Sequence, residues 1–131
     1  MKTLIVDDSG LNRLLLSETI SPFGPCHKAV NGREAVLLFK QAWEEKEPYD
    51  LICLDIIMPE MDGHEALQEI RQWEEERHIS RKAGVKVIMV TSLDDSRNML
   101  ESFKKYCDDY ITKPVEGKKL IFKILNMGLI K

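Results

Sequence analysis

Three carboxylates, a hydroxyl and an amine stand at the ends of short apolar runs in this 131-residue chain. Leu4-Ile5-Val6 stops on Asp7-Asp8, Leu51 to Leu54 stops on Asp55, Val85 to Val90 stops on Thr91, and Tyr110-Ile111-Thr112 stops on Lys113-Pro114. Runs of this length suit strands buried on both faces of a parallel sheet, and open α/β sheets bind ligands at the carboxyl ends of such strands. If the runs are parallel strands, all five groups project from one edge. Carboxylates crowded together repel, and a hard divalent cation such as Mg2+ and a nearby ammonium, here Lys113, relieve that repulsion. A carboxylate beside a cation is also a nucleophile toward phosphorus, forming an acyl phosphate. Asp55 is the leading candidate for that role, with Thr91 and Lys113 as hydrogen-bond donors to the phosphoryl oxygens.

The intervening segments read as helices. Ser9 can cap a helix whose inner face is Leu11, Leu14, Leu15 and Leu16 and which Gly24-Pro25 ends. Residues 26 to 30 form a weak second strand. Asn31-Gly32 is a turn, and Ala35, Val36, Phe39, Ala42 and Trp43 follow at amphipathic helical spacing, with Glu44 to Glu47 solvated and Pro48 as a stop. Pro59, Asp62 and Gly63 make the turn after the central strand. A third helix carries Ala66, Leu67, Ile70 and Trp73 and runs into an exposed charged stretch, Glu74 to Lys82. A fourth is expected around Met99, Leu100 and Phe103 with Asp94 as its cap, and a last one around Leu120, Ile121, Ile124 and Leu125. Five strands alternating with five helices predict a doubly wound α/β domain with a five-stranded parallel sheet and right-handed crossovers.

The length suits one domain, residues 1–131, with a core that needs no staples. A net charge of -3 with mixed signs argues against direct nucleic-acid binding, and no apolar run is long enough for membrane insertion or a signal peptide, so a cytoplasmic protein is expected. Cys26, Cys53 and Cys107 are odd in number and widely spaced, which fits core packing rather than disulfides or zinc. His27, His64 and His78 lack paired ligand spacing. Trp43 and Trp73 read as core or boundary packing.

In combination, VDDS at Val6 to Ser9, LDIIMPEMDG at Leu54 to Gly63, VTS at Val90 to Ser92 and YITKP at Tyr110 to Pro114 are specific. The whole chain resembles the CheY-like receiver domains of two-component response regulators. The resemblance implies a flavodoxin-like sheet with strand order 2-1-3-4-5. It implies that Asp55 accepts a phosphoryl group from a sensor histidine kinase or phosphotransfer protein. It further implies that Asp8, Asp55 and the backbone carbonyl of Ile57 hold Mg2+, with Asp7 acting largely through water. Lys113-Pro114 is implied to be cis, and Thr91 and Tyr110 to form a switch that reshapes the face of the fourth helix, fifth strand and fifth helix for a downstream target protein. A stand-alone monomer or weak dimer, with no enzymatic turnover beyond accepting and slowly losing the phosphoryl group, is expected. Slow loss is expected because Ile57 and Leu93 flank the water's approach with apolar side chains.

Other readings stay open. A flavodoxin-like FMN carrier shares the fold but needs a phosphate-cradling Ser/Thr/Gly loop where Asp7-Asp8-Ser9 stands. An aspartyl phosphatase shares the chemistry but needs a cap or substrate pocket. A receiver-like module that never becomes phosphorylated is disfavoured by the retained acidic, hydroxyl and amine positions. Two features depart from the family pattern: Cys107-Asp108-Asp109 replaces the usual small pair before the last strand, and Trp73 to Gly84 is longer than in minimal receivers. Ser92, after Thr91, is a milder change.

Overall fold

The computed structural model describes residues 1–56, 58, 60–92 and 105–131. Its strands are β1 (Thr3–Val6), β2 (Cys26–Ala29), β3 (Leu51–Asp55), β4 (Lys86–Thr91) and β5 (Asp109–Thr112). All pair in parallel in the order β2-β1-β3-β4-β5, as the resemblance implies. The helices among the described residues are α1 (Gly10–Ile20), α2 (Gly32–Glu44), α3 (Gly63–Glu76) and α4 (Gly117–Asn126). The helix expected around Met99 to Phe103, with its Asp94 cap, lies outside the described residues, as do Ile57, Pro59 and Leu93.

β1 and β3 are buried along their whole length because helices cover both faces of the sheet. Alternate residues feed two cores. Leu4, Val6, Ile52 and Leu54 pack with Phe39, Leu67 and Ile70 under α2 and α3. Ile5, Cys53, Ile88 and Val90 pack with Leu16, Ile20, Leu120 and Ile124 under α1 and α4. Burial pushes the Cys53 thiol up to about 12, so it is inert packing, and all three cysteines are free. Trp73 packs edge-on against Phe39 and lies 6.0 Å from Trp43, closing the seam between α2 and α3.

Three local expectations change. On α1 the buried apolar residues are Leu16 and Ile20, whereas Leu11, Leu14 and Leu15 are exposed. Four leucines spread over nearly two turns define no single stripe, so tertiary contact with Ile5 decides which face is inner. α1 also ends at Ile20 rather than at Gly24, in a 3-10 turn over Ser21–Phe23, because Pro22 cannot supply the next helical N–H. Finally, Glu74 is 2% exposed, not solvated. α3 stops at Glu76, and His78 takes a left-handed φ of 58° while its N–H and that of Ile79 bond the Glu75 and Glu74 carbonyls. The chain then folds back through Ser80 to Gly84, and Gly84 presses on the Glu74 carboxylate with no room for a side chain.

Candidate functional site

The parallel register brings the carboxyl ends of β1, β3, β4 and β5 to one edge. β1 delivers Asp7, fully buried, and exposed Asp8. Ser9 then caps α1 by accepting from the Asn12 N–H, and its own N–H donates to Asp7 Oδ1 at 2.9 Å. Asp55 closes β3 and is 5% exposed. Behind it the chain must double back at once, and the Gly63 N–H donates to the Ile56 carbonyl at 2.8 Å. A side chain at Gly63 would collide with the Asp55 carbonyl, so the turn after the central strand requires glycine.

Thr91 ends β4, fully buried, and its hydroxyl has no hydrogen-bond partner among the described residues. Lys113 directly follows β5, and the Lys113-Pro114 bond after it is cis. Its Nζ lies 3.5 Å from Asp7 Oδ2 and 3.4 Å from Asp55 Oδ1, so one ammonium serves two carboxylates. Tyr110, on β5, is 42% exposed, with Lys123 Nζ 5.8 Å from its ring. The structure thus brings together Asp7, Asp8, Asp55 and Lys113 and lines Thr91 up on the same edge; Ile57, the remaining ligand implied by the resemblance, is outside the described residues.

The electrostatics follow from that crowding. Burial, and then the Asp7 charge, push the Asp55 carboxyl up to about 6, against the pull of Lys113. Burial works against the Lys113 ammonium, but Asp55 and Asp7 outweigh it and hold the amine above its ordinary value. Asp7, Asp8 and Asp55 each offer a carboxylate oxygen within 4.8 Å of the others. Asp7 Oδ2 is buried and accepts no hydrogen bond among the described residues. A buried anionic oxygen whose one cationic neighbour is the shared Lys113 ammonium 3.5 Å away, in a set made wholly of hard oxygen ligands, fits a small divalent cation such as Mg2+.

Two features escaped the sequence reading. Arg13 reaches back from α1 to donate to the Asp7 carbonyl at 2.8 Å. Its place four residues after the Ser9 cap was the available signal. At the opposite end of the sheet, the two departures from the family pattern meet each other. Arg71, 7% exposed, donates to Glu74, Asp108 and the Val85 and Tyr106 carbonyls. Arg81, in the longer segment, bonds the Lys105 carbonyl and lies 3.5 Å from Asp108, whose carboxylate also accepts from the Val87 N–H.

Comparison with known proteins identifies the family and the fold. Residues 3–125 match the family model of the response regulator receiver domain. The chemotaxis protein CheY of Halobacterium salinarum is 39% identical over 127 residues, which cover 96% of this chain and 95% of that protein. The sensor histidine kinase GacS of Pseudomonas protegens is 35% identical over 125 residues, 95% of this chain but only 13% of its own length. A chain of the CheX-CheY-BeF3-Mg2+ complex from Borrelia burgdorferi superposes with a TM-score of 0.79 at 26% identity, covering 100% of this chain and 90% of that one. A CheY-like receiver domain protein from Methanospirillum hungatei gives 0.73 at 27% identity, with 97% and 94% covered. Because the agreement runs from the first strand into the last helix rather than over one motif, this chain is a member of the response regulator receiver domain family, whose setting is two-component signalling by phosphorylation.

Proposed function

We propose that the chain is a phosphorylation-dependent switch in which Asp55 accepts a phosphoryl group from the phosphohistidine of a sensor kinase or phosphotransfer protein. The observation that carries this reading is the shared ammonium: Lys113 lies 3.4 Å from Asp55 and 3.5 Å from Asp7 at a corner where a third carboxylate converges. An Asp55 oxygen attacks phosphorus, the P–N bond to the imidazole breaks, and the electron pair leaves with the imidazole. With its pKa at about 6, Asp55 carries at neutral pH the charge that this attack requires. Asp7, Asp8 and Asp55, with the Ile57 carbonyl, would hold Mg2+, which when bound offsets the charge of the carboxylates and the phosphoryl oxygens. Lys113 donates a charge-assisted hydrogen bond to the phosphoryl group, and Thr91 turns its unsatisfied hydroxyl to another of its oxygens.

The inward pull on Thr91 makes room for Tyr110, which leaves its exposed position and reshapes the β5 and α4 face for a downstream protein. The chain acts by this contact rather than by turning over a substrate, and it works in the cytoplasm as a monomer or weak dimer; no described helix is long and apolar enough to cross a membrane. Slow self-dephosphorylation follows from apolar Ile57 and Leu93. Incubation with acetyl phosphate and Mg2+, followed by intact mass measurement, tests the reading. One added phosphoryl mass that disappears in Asp55→Asn is expected, and a parent protein of unchanged mass would refute it.

A further inference from the structure

Asp8 presents a peculiar problem of placement. Its side chain is exposed and takes no hydrogen bond or ion pair from the described residues, so its carboxylate stands wherever the Asp7–Asp8 peptide puts it. That peptide lies between the end of β1 at Val6 and the Ser9 cap, in a turn too short to define itself. Besides its ion pair with Lys113, Asp7 is held by three hydrogen bonds. Its N–H donates to the Ala29 carbonyl at 3.2 Å, its Oδ1 accepts from the Ser9 N–H, and its carbonyl oxygen accepts from Arg13 Nη1 at 2.8 Å. Only the last of these bonds holds the oxygen of the peptide that carries Asp8.

The position of Arg13 explains how it gets there. Helical side chains lean toward the N-terminus, so a long side chain on the second turn runs back over the first. The guanidinium passes beside Gly10, where a β-carbon would lie 3.5 Å from Arg13 Nη2, an ordinary contact. The charge, by contrast, is in the wrong place. A cation near a helix N-terminus opposes the helix dipole, and one beside a divalent-cation site opposes the metal. No carboxylate lies within 4 Å of the guanidinium among the described residues, so an ion pair does not account for it. What remains is the bond to the carbonyl, a charge-assisted one and hence stronger than a neutral donor would make.

We propose that Arg13 is a positioning residue of the acidic corner, fixing the Asp7–Asp8 peptide so that Asp8 stands where a divalent cation needs it. The inference rests on the reading of this corner as a Mg2+ site. It makes a prediction of sign, because charge and geometry push in opposite directions. Taking away a positive charge should by itself tighten Mg2+, whereas freeing the peptide should loosen it.

Calorimetric titration with MgCl2 separates the two, using Arg13→Met, which keeps the apolar stem, Arg13→Lys, which keeps charge and a donor, and Asp8→Ala as the control. Loss of an outer partner of a metal site typically costs 10- to 100-fold, so Arg13→Met is expected to bind Mg2+ about tenfold more weakly and Arg13→Lys within about threefold of the parent. Thermal melts without metal should show both variants folded, which rules out global unfolding as the cause. Unchanged or tighter binding in Arg13→Met, while Asp8→Ala binds poorly, overturns the role of Arg13 alone. Unchanged binding in Asp8→Ala overturns the metal reading on which it rests.

Discussion

Asp55 keeps its reactivity at some expense to the fold. With its carboxyl raised from 3.8 to about 6 by burial and by Asp7, the metal-free folded state retains a proton between those values that the unfolded chain has lost. Stability contributed by this group therefore falls as pH rises through that window, and the penalty is complete above about pH 6. Two units correspond to roughly 3 kcal/mol, of which an amide, itself still a buried polar group, recovers part. Asp55→Asn should accordingly stabilise the metal-free protein by about 1 to 2 kcal/mol at pH 7.5, with the gain vanishing near pH 4. Urea unfolding in the presence of chelator across that range measures it. A difference that does not vary with pH would show that the Asp55 charge is not its source.

At the scale of elements, the segment from Trp73 to Gly84 earns its length by serving the fold rather than by standing free in solvent. Arg71 and Arg81 draw the end of α3, the start of β4 and the stretch before β5 onto one carboxylate, Asp108. This is what stands in place of the small pair the family usually has before its last strand. Glu74 and Arg71 are both nearly inaccessible, so removing one leaves the other charged and buried, a defect that typically costs 3 to 5 kcal/mol. Arg71→Met is expected to lose about 3 kcal/mol or more in urea unfolding. Adding Glu74→Gln should restore part of this, because a glutamine still accepts the Val85 N–H without carrying the orphaned charge. A double variant no better than the single one would mean that the loss comes from the freed carbonyls of Val85 and Tyr106.

Across the whole molecule, the acidic corner and the β5 surface communicate only if both ends of β4 and β5 respond together. Thr91 is buried with an unsatisfied hydroxyl, and Tyr110 is half exposed beside Lys123, whose Nζ lies 5.8 Å from the ring and 3.1 Å from Asp109. That arrangement is the resting one if phosphorylation draws Thr91 inward. Saturation with beryllofluoride and Mg2+ should bury Tyr110, read as a change in its ring resonances and a fall in its accessibility to iodination. The same treatment of Thr91→Val should leave Tyr110 where it is. A loaded parent protein with an unmoved Tyr110 would sever the link between site and surface.

The strands, the fold class and the acidic corner were legible in the chain itself. Buried parallel strands read as short apolar runs, and a charge that ends such a run marks the edge of the sheet, so Asp7, Asp55, Thr91 and Lys113 could be named from where Val6, Leu54, Val90 and Thr112 stop. Joint order and spacing did the rest, since each motif alone has a bland explanation as a cap or turn. The inner face of α1 was not legible, because its leucines crowd more than one stripe and only packing on Ile5 chooses between them. Neither was the burial of Glu74 within a run of charges, nor the partnership of Arg71 and Arg81 with Asp108, nor the bond from Arg13 to Asp7. Hydrophobic period reports how a residue relates to its own helix or strand. Ion pairs and side-chain bonds to distant carbonyls are set by where separate elements come to rest, which the tertiary structure alone decides.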